Sequence, residues 1–317
     1  MSHPLTVPPG NTAQRPRWLD LPSAVRASIE HACGSTVQSA TSHGSGYTPG
    51  FASTLRLLDG RSVFVKATNS TRPWLAEAYR AEAELVVLLP VGLSVPRLQH
   101  VVQLTVAEVD WWVLLFDAVD GRPPRRPWVA SEVDQVLRAT KELSTALTPA
   151  PAGLAWDEFT SDLAPYVDLH YDHIVQAGLL VDIRDDARRL AEGAATLDGD
   201  TLVHHDLRDD NILLDAGGRV WFCDWNFPTT GPIWADTLSL LLSMSGDGHD
   251  GDRLLADSGL VRDSDRDQVD GLLALLLGYF SFAGAQPAPA DSPYLRPPQR
   301  WYAQVSEDWL RARRGWR

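Results

Sequence analysis

Thr201 to Asn226, TLVHHDLRDDNILLDAGGRVWFCDWN, is the stretch on which the reading of the whole chain turns. An apolar lead-in runs into a polar loop that carries His204, Asp206 and Asn211, and Ile212-Leu213-Leu214 follows as an apolar run. After an Asp-Ala-Gly-Gly turn, Val220 to Cys223 delivers Asp224. Two short apolar, partly β-branched runs around a Gly-rich turn predict a hairpin, which returns Asp224 to the same end of the ribbon as Asn211. Phosphoryl transfer from a nucleotide needs a carboxylate that orients and deprotonates the acceptor hydroxyl. It also needs hard oxygen ligands that place magnesium on the phosphates. In that reading Asp206 is the base, and Asn211 and Asp224 hold the metal.

A His-His-Asp cluster also admits a zinc or iron site, since imidazole and carboxylate are ordinary ligands for both. No further His or Cys stands at a motif spacing nearby, whereas the magnesium pattern accounts for Asn211 and Asp224 as well. His204 then reads as structural, an imidazole that orders the loop.

H-x-D-x-x-x-x-N followed by an Asp after a hairpin resembles the catalytic loop and metal-binding Asp of the aminoglycoside phosphotransferase family. These are antibiotic and small-molecule kinases with a protein-kinase-like fold, and the resemblance runs from Ser42 to Asp236. It implies an α+β, two-lobed chain. Residues 1–118 would form a small antiparallel-sheet lobe with one helix that binds nucleotide, and 119–317 a larger, mainly helical lobe for catalysis and substrate. Family members usually carry a small residue, often Gly, between the His and the base. This chain has His205 there, which alters the shape and electrostatics beside Asp206.

The N-terminal half carries the matching parts. Met1 to Arg17, with four prolines, reads as a flexible leader, and a helix is expected from Ser23, as N-cap, through His31. Gly44, Gly46 and Gly50 punctuate a polar stretch ahead of a strand over Phe51 to Leu58, an Asp59-Gly60 turn and a strand over Arg61 to Ala67. Lys66 lies among β-branched and aromatic residues, where an unpaired ammonium is costly to bury, so an anionic partner is expected. The resemblance makes it the Lys that holds the α- and β-phosphates, paired with Glu82 of a helix over Pro73 to Leu89, with Glu77 and Glu84 as lesser choices. By the same resemblance Thr48 to Ser53 covers the phosphates, and Ser53 is assigned there. Trp111 to Phe116 is intensely apolar and breaks into the Asp117 to Pro124 linker, the texture of a hinge between lobes. The resemblance assigns adenine binding to the carbonyl of Asp117 and the N–H of Val119.

Beyond the hinge, periodicity predicts helices over Ser131 to Leu147, Asp157 to Leu163, Val167 to Leu180 and Asp182 to Leu197. Asp236 heads another over Thr237 to Met244, and the resemblance has it ordering the catalytic loop through backbone hydrogen bonds. Ser245 to Asp252, SGDGHDGD, reads as a flexible acidic loop, Arg266 to Phe282 as an apolar helix, and Trp301 to Arg317 as an amphipathic one. By analogy with antibiotic kinases, Asp247, Asp250, Asp252 and the pair Asp157 and Glu158 are candidates to hold cationic groups of the substrate.

With 317 residues, 44% of them hydrophobic, the chain has room for two lobes with real cores, and its mean hydropathy of -0.16 is that of a soluble protein. No apolar run of transmembrane length and no secretory signal is read. Two cysteines give no disulfide framework, which sets a reducing cytoplasm as the default. A net charge of -13 argues against nucleic acid as a partner. It suits a cationic substrate, and equally a surface that serves only solubility.

The expectation is ATP- or GTP-dependent, magnesium-assisted O-phosphorylation of a small hydroxylated molecule, an antibiotic first. Asp206 would be the base, and Arg208 would neutralise the transferring group. A kinase for choline-, sugar- or amino-alcohol-type metabolites is the strongest alternative. A silent nucleotide-binding scaffold is less favoured, because the charged residues needed for turnover are all present. A protein kinase is disfavoured because only eleven residues, 225 to 235, separate Asp224 from Asp236.

Overall fold

A computed structural model describes residues 5, 12–44, 46–194 and 196–316. Five antiparallel strands form the first sheet: β1 (Val37–Ser42), β2 (Phe51–Leu57), β3 (Ser62–Asn69), β4 (Leu98–Val106) and β5 (Val109–Asp117). Their spatial order is β1-β2-β3-β5-β4. The period of two along a strand sends alternate side chains to opposite faces. Val63, Val65 and Ala67 of β3 therefore join Phe51, Leu55, Val113 and Leu115 in a core closed by Leu21 and by Val25, Ile29 and Cys33 of α1 (Ser23–Cys33). Lys66 faces the other way. That second face packs Leu114 and Phe116 against Leu75 and Tyr79 of α2 (Pro73–Val86). The small lobe thus carries two helices rather than one, because a sheet with two apolar faces needs a cover on each.

The Asp117–Asp120 linker leads to β6 (Gly121–Arg122) and into a mainly helical lobe. Its helices are α3 (Ala130–Ala146), α4 (Val167–Gln176), α5 (Arg184–Gly193), α6 (Ala235–Gly246), α7 (Gly251–Ser258), α8 (Arg266–Ala285) and α9 (Arg296–Arg314). Two small sheets support the central loop. β7 (Thr201–Val203) pairs with β10 (Thr229–Gly231), and the expected hairpin forms as β8 (Ile212–Asp215) and β9 (Val220–Phe222), with β6 on its edge. By length and composition α8 could cross a membrane, yet it packs against α4, α5 and α9, and Val269 and Leu272 to Leu277 lie in the lobe's core.

Several local expectations are corrected. Pro22 rather than Ser23 occupies the N-cap of α1. Asp157 to Leu163 is a run of turns, because its backbone is engaged laterally: Thr230 N–H donates to the Asp157 carbonyl and Phe159 N–H to that of Thr230. Ser245 to Asp252 is the end of α6, a tight turn and the start of α7. Of the Met1 to Arg17 leader, residues 1–4 and 6–11 lie outside the described part. Residues 12–17 are packed: Thr12 and Ala13 are buried, and Thr12 N–H donates to the Gly44 carbonyl at 2.9 Å.

Candidate active site

The β8–β9 hairpin brings the central residues together as its turn requires. Asp206 lies on the loop after β7, Asn211 just before β8, and Asp224 just past β9. Asn211 Nδ2 donates to the Asp206 carbonyl at 2.8 Å and approaches its carboxylate at 3.4 Å. Among the described residues its side-chain hydrogen bonds all use Nδ2, which leaves the amide oxygen available to a cation.

The loop is held from behind. Asp236, buried at the head of α6, accepts the backbone N–H groups of His204 at 2.7 Å and His205 at 3.0 Å. Burial raises the Asp236 pKa, against the opposing pull of His204 and the two N–H groups. His204 Nε2 lies 2.8 Å from the Cys223 carbonyl, so that nitrogen carries the proton and donates. Its ring packs on Trp225 with centroids 4.6 Å apart, which ties the loop to the residue after Asp224. His205 and Asp224 both have φ near +70°, at 68° and 69°, a region costly for residues other than Gly. Such strain, of order 1–3 kcal/mol per residue, persists only where the surroundings enforce it. Here the Asp224 side chain lines the cleft, and that of His205 lies between Phe159, Thr229 and Asp162.

Lys66 reaches Glu82 at 2.7 and 2.6 Å and Asp224 at 2.5 Å, so all three ammonium protons have a carboxylate oxygen. Lys66 is only 7% exposed and lies near the Tyr79 and Phe116 rings, 5.6 and 5.7 Å from their centroids. Burial would strip its proton, but the charges of Asp224 and Glu82 prevail and its pKa rises. Burial likewise disfavours ionised Asp224, and Lys66 overcomes it, leaving Asp224 at about 2. Asp206, by contrast, is raised: burial dominates over the opposing charge of Arg208. One carboxylate is held firmly ionised and the other is kept more basic.

A cleft cavity of about 410 Å³ lies beside these groups. Lys66, Glu82, Asp117, Val119, Asn211 and Asp224 line it, with Arg15, Gly44, Gly46, Ala52 and Thr54. Ser53 does not. It sits in phase with Phe51 and Leu55 on the α1 side of β2, buried and without a hydrogen-bond partner for its hydroxyl, whereas Ala52 and Thr54 face the cavity. The assignment of Ser53 to the nucleotide is corrected by that alternation.

Three of the proposed substrate acids are engaged elsewhere. Asp247, with a side chain 4% exposed, accepts Arg126 Nε at 2.7 Å and Trp128 N–H at 2.8 Å. Asp250 caps α7 by accepting Arg253 N–H, and Asp252 pairs with Arg313. Asp157 and Glu158 are exposed, next to Phe159, whose ring lies 4.8 Å from His205.

Around Asp206, Arg208 was expected from the sequence, whereas its partner Asp210 and the groups Asp209, Arg126 and Asp162 were missed. Arg208 is bound to Asp206 and, at 3.0 Å, to Asp210, under the Tyr47 ring. Arg126 joins Asp209 at 3.0 Å to Asp247. Asp162 lies 3.3 Å from His205 Nε2. Burial pulls the His205 pKa down, yet Asp162, Asp236 and Asp206 outweigh it and the net shift is upward. The acidic doublet Asp209-Asp210 was a visible signal. Arg126 and Asp162 carry no spacing that marks them.

The model of the phosphotransferase enzyme family matches residues 47–272, more than half of the chain. The chain belongs to that family. It is therefore a small-molecule phosphotransferase, with the two-lobed kinase-like fold. No curated protein matches its sequence. Among solved structures, this phosphotransferase is similar to an amicoumacin kinase determined with AMP-PNP and Ca2+, at 13% identity and a TM-score of 0.58, over 89% of this chain and 93% of that one. It is also similar to a spectinomycin phosphotransferase determined with ADP and spectinomycin, at 11% identity and 0.59, over 92% and 98%. A choline kinase from Streptococcus pneumoniae aligns at 15% identity and 0.56, over 90% and 100%. At such identities the likeness establishes the fold.

Proposed function

We propose that this phosphotransferase moves the terminal phosphoryl group of ATP or GTP to a hydroxyl of a small cationic natural product, an antibiotic that it thereby inactivates. In this reading residues 1–118 carry the nucleotide, and 119–317 the acceptor and catalytic groups. The observation that carries it is the convergence of Asn211, Asp224, Lys66 and Glu82 on one cleft, with the Asp206 carboxylate 3.4 Å from Asn211 Nδ2. Asp206 orients the acceptor hydroxyl and takes its proton as the bond to phosphorus forms, and its raised pKa suits a base. Arg208, bound to Asp206 and Asp210, fixes the base in one rotamer and keeps positive charge beside the transferring group.

The donor set fits magnesium: a free amide oxygen on Asn211 and a firmly ionised, backbone-strained Asp224 are hard oxygen ligands. Asn211 and Asp224 would hold the ion, which would supply neutralisation of phosphate charge. Lys66, held by Glu82, then serves the phosphate oxygens. Asp117 and Val119 line the wall assigned to the base. A cationic acceptor is supported by the exposed acids Asp157, Glu158 and Asp162 near His205. Free thiols at Cys33 and Cys223 fit a reducing cytoplasm.

The test is nucleotide consumption with ATP and GTP, with and without magnesium, across aminoglycosides, cyclic-peptide antibiotics, macrolides, choline and amino alcohols. Asp206→Ala is the control. Turnover on one antibiotic class, lost in the control, supports the reading. Turnover on choline or an amino alcohol alone replaces the antibiotic with a metabolite, and full turnover by Asp206→Ala overturns the mechanism.

A further inference from the structure

The nucleotide cleft is short of free positive charge. Its described lining holds four carboxylates, Glu82, Asp117, Asp210 and Asp224, against two permanent cations, Arg15 and Lys66. The three protons of Lys66 are already directed at Glu82 and Asp224. His43, also in the lining, is pushed toward its neutral form, chiefly by burial. Arg15 is different: its Nε is buried with no hydrogen-bond partner, and no carboxylate pairs with it among the described residues. A buried guanidinium N–H left unmade is costly, so its persistence in a ligand cleft calls for a ligand.

The position of Arg15 is built by its neighbours. Thr12 Oγ1 lies 2.7 Å from the Gly44 carbonyl and 2.8 Å from that of Gly46, which share its one proton. Gln14 N–H donates to the Asp291 carbonyl of the large lobe at 2.8 Å. Just downstream, the Trp18 ring rests 6.3 Å from that of Phe51. The segment thus crosses from the glycine-rich loop to the other lobe, anchored on both sides of Arg15. Arg15 Nη2 lies 2.7 Å from where a Cβ on Gly46 would stand, so glycine at 46 leaves room for the guanidinium. Arg15 is also near enough for its charge to favour the ionised form of Asp224.

We infer that Arg15 is a nucleotide-binding residue, whose guanidinium takes the β- and γ-phosphate oxygens from the glycine-loop side while Lys66 serves them from β3. A planar, permanently charged fork suits bidentate phosphate recognition. This rests on the nucleotide-dependent reading above, and goes beyond it by assigning phosphate recognition to the segment ahead of the family-matched region.

Binding titrations of the full chain with ATP, GTP, ADP and AMP, in magnesium, test it. Arg15→Met should weaken the triphosphate that wild type binds by roughly 10- to 100-fold. AMP should shift less than twofold, and Arg15→Lys should recover part of the loss. Arg15→Gln provides the same readout if Arg15→Met does not fold. Unchanged triphosphate affinity, or equal losses for AMP and ATP, overturns the inference, the second outcome assigning the segment a purely structural role. Failure of wild type to bind either triphosphate would instead strike the nucleotide-dependent reading itself.

Discussion

Two buried ion networks flank Asp206, and they differ in what they leave unsatisfied. Arg126, Asp247 and Asp209, with the Trp128 N–H, form a set in which the guanidinium makes bonds to two carboxylates, backed by Trp301 with its ring centroid 5.2 Å away. Lys66, Glu82 and Asp224 form a set with one cation for two carboxylates, facing an open cavity from a strained backbone at Asp224. The first network is closed and joins the hinge-side linker to α6. Each set has one cation for two carboxylates, but the second presents its excess negative charge to the cavity, where a divalent cation would balance it. Similar side chains act as structure or as machinery according to whether they are enclosed by the protein or line the cavity.

The largest effects separate the networks from the base itself. Asp206→Ala should lower kcat by roughly 10²- to 10⁴-fold while Tm moves by no more than about 2 °C, since the variant removes a proton acceptor and no core contact. Steady-state kinetics beside thermal melts check this, and a large fall in Tm would make Asp206 structural. Lys66→Met should damage both properties. Breaking a buried pair leaves Glu82 and Asp224 uncompensated and costs about 3–5 kcal/mol, so the melt should fall with turnover. Arg126→Met should destabilise by a smaller amount, about 1–3 kcal/mol, with nucleotide affinity within about threefold of wild type. Loss of nucleotide binding there would dissolve the contrast between the two sets.

Two smaller effects sharpen it. The folded pKa of His205 lies above its ordinary value of 6.5. Its contribution to stability is therefore complete below that value and fades as pH rises through the folded pKa. Tm should drop between pH 6 and pH 8 by on the order of 1 °C more in wild type than in Asp162→Asn, a modest effect because Asp162 is 63% exposed. Asp252→Asn should change KM for the acceptor less than about twofold, since that carboxylate is held by Arg313 at a pair worth under about 1 kcal/mol. A tenfold rise in KM would return the acidic turn to the substrate site.

Periodicity and turn chemistry were enough to read β2 and β3 of the first sheet, the β8–β9 hairpin and most helices, because those signals are local, whereas β1 went unread. The H-x-D-x-x-x-x-N loop and the Asp after the hairpin were legible for the same reason: short loops leave few ways to place Asn211 and Asp224 relative to each other. Lys66 was visible as an anomaly, a cation in an apolar strand. Ser53 was misplaced by one residue of strand phase, and Asp247 looked free because its partner lies 121 positions away. Helical periodicity over Asp157 to Leu163 lost to pairing with Thr230, another contact distant in sequence.

The amino-acid sequence by itself determined which residues can supply a base, metal ligands and a phosphate-binding ammonium, and that a hairpin joins two of them. Only the tertiary structure decided which charges remain unpaired. Pairing is set by approach in space between residues far apart in the chain, and a carboxylate's chemistry follows from its nearest cation and its burial. That is why Asp224 and Asp247, equivalent as letters, are held so differently, and why Arg15 became legible only once the segment carrying it was seen lying across the cleft.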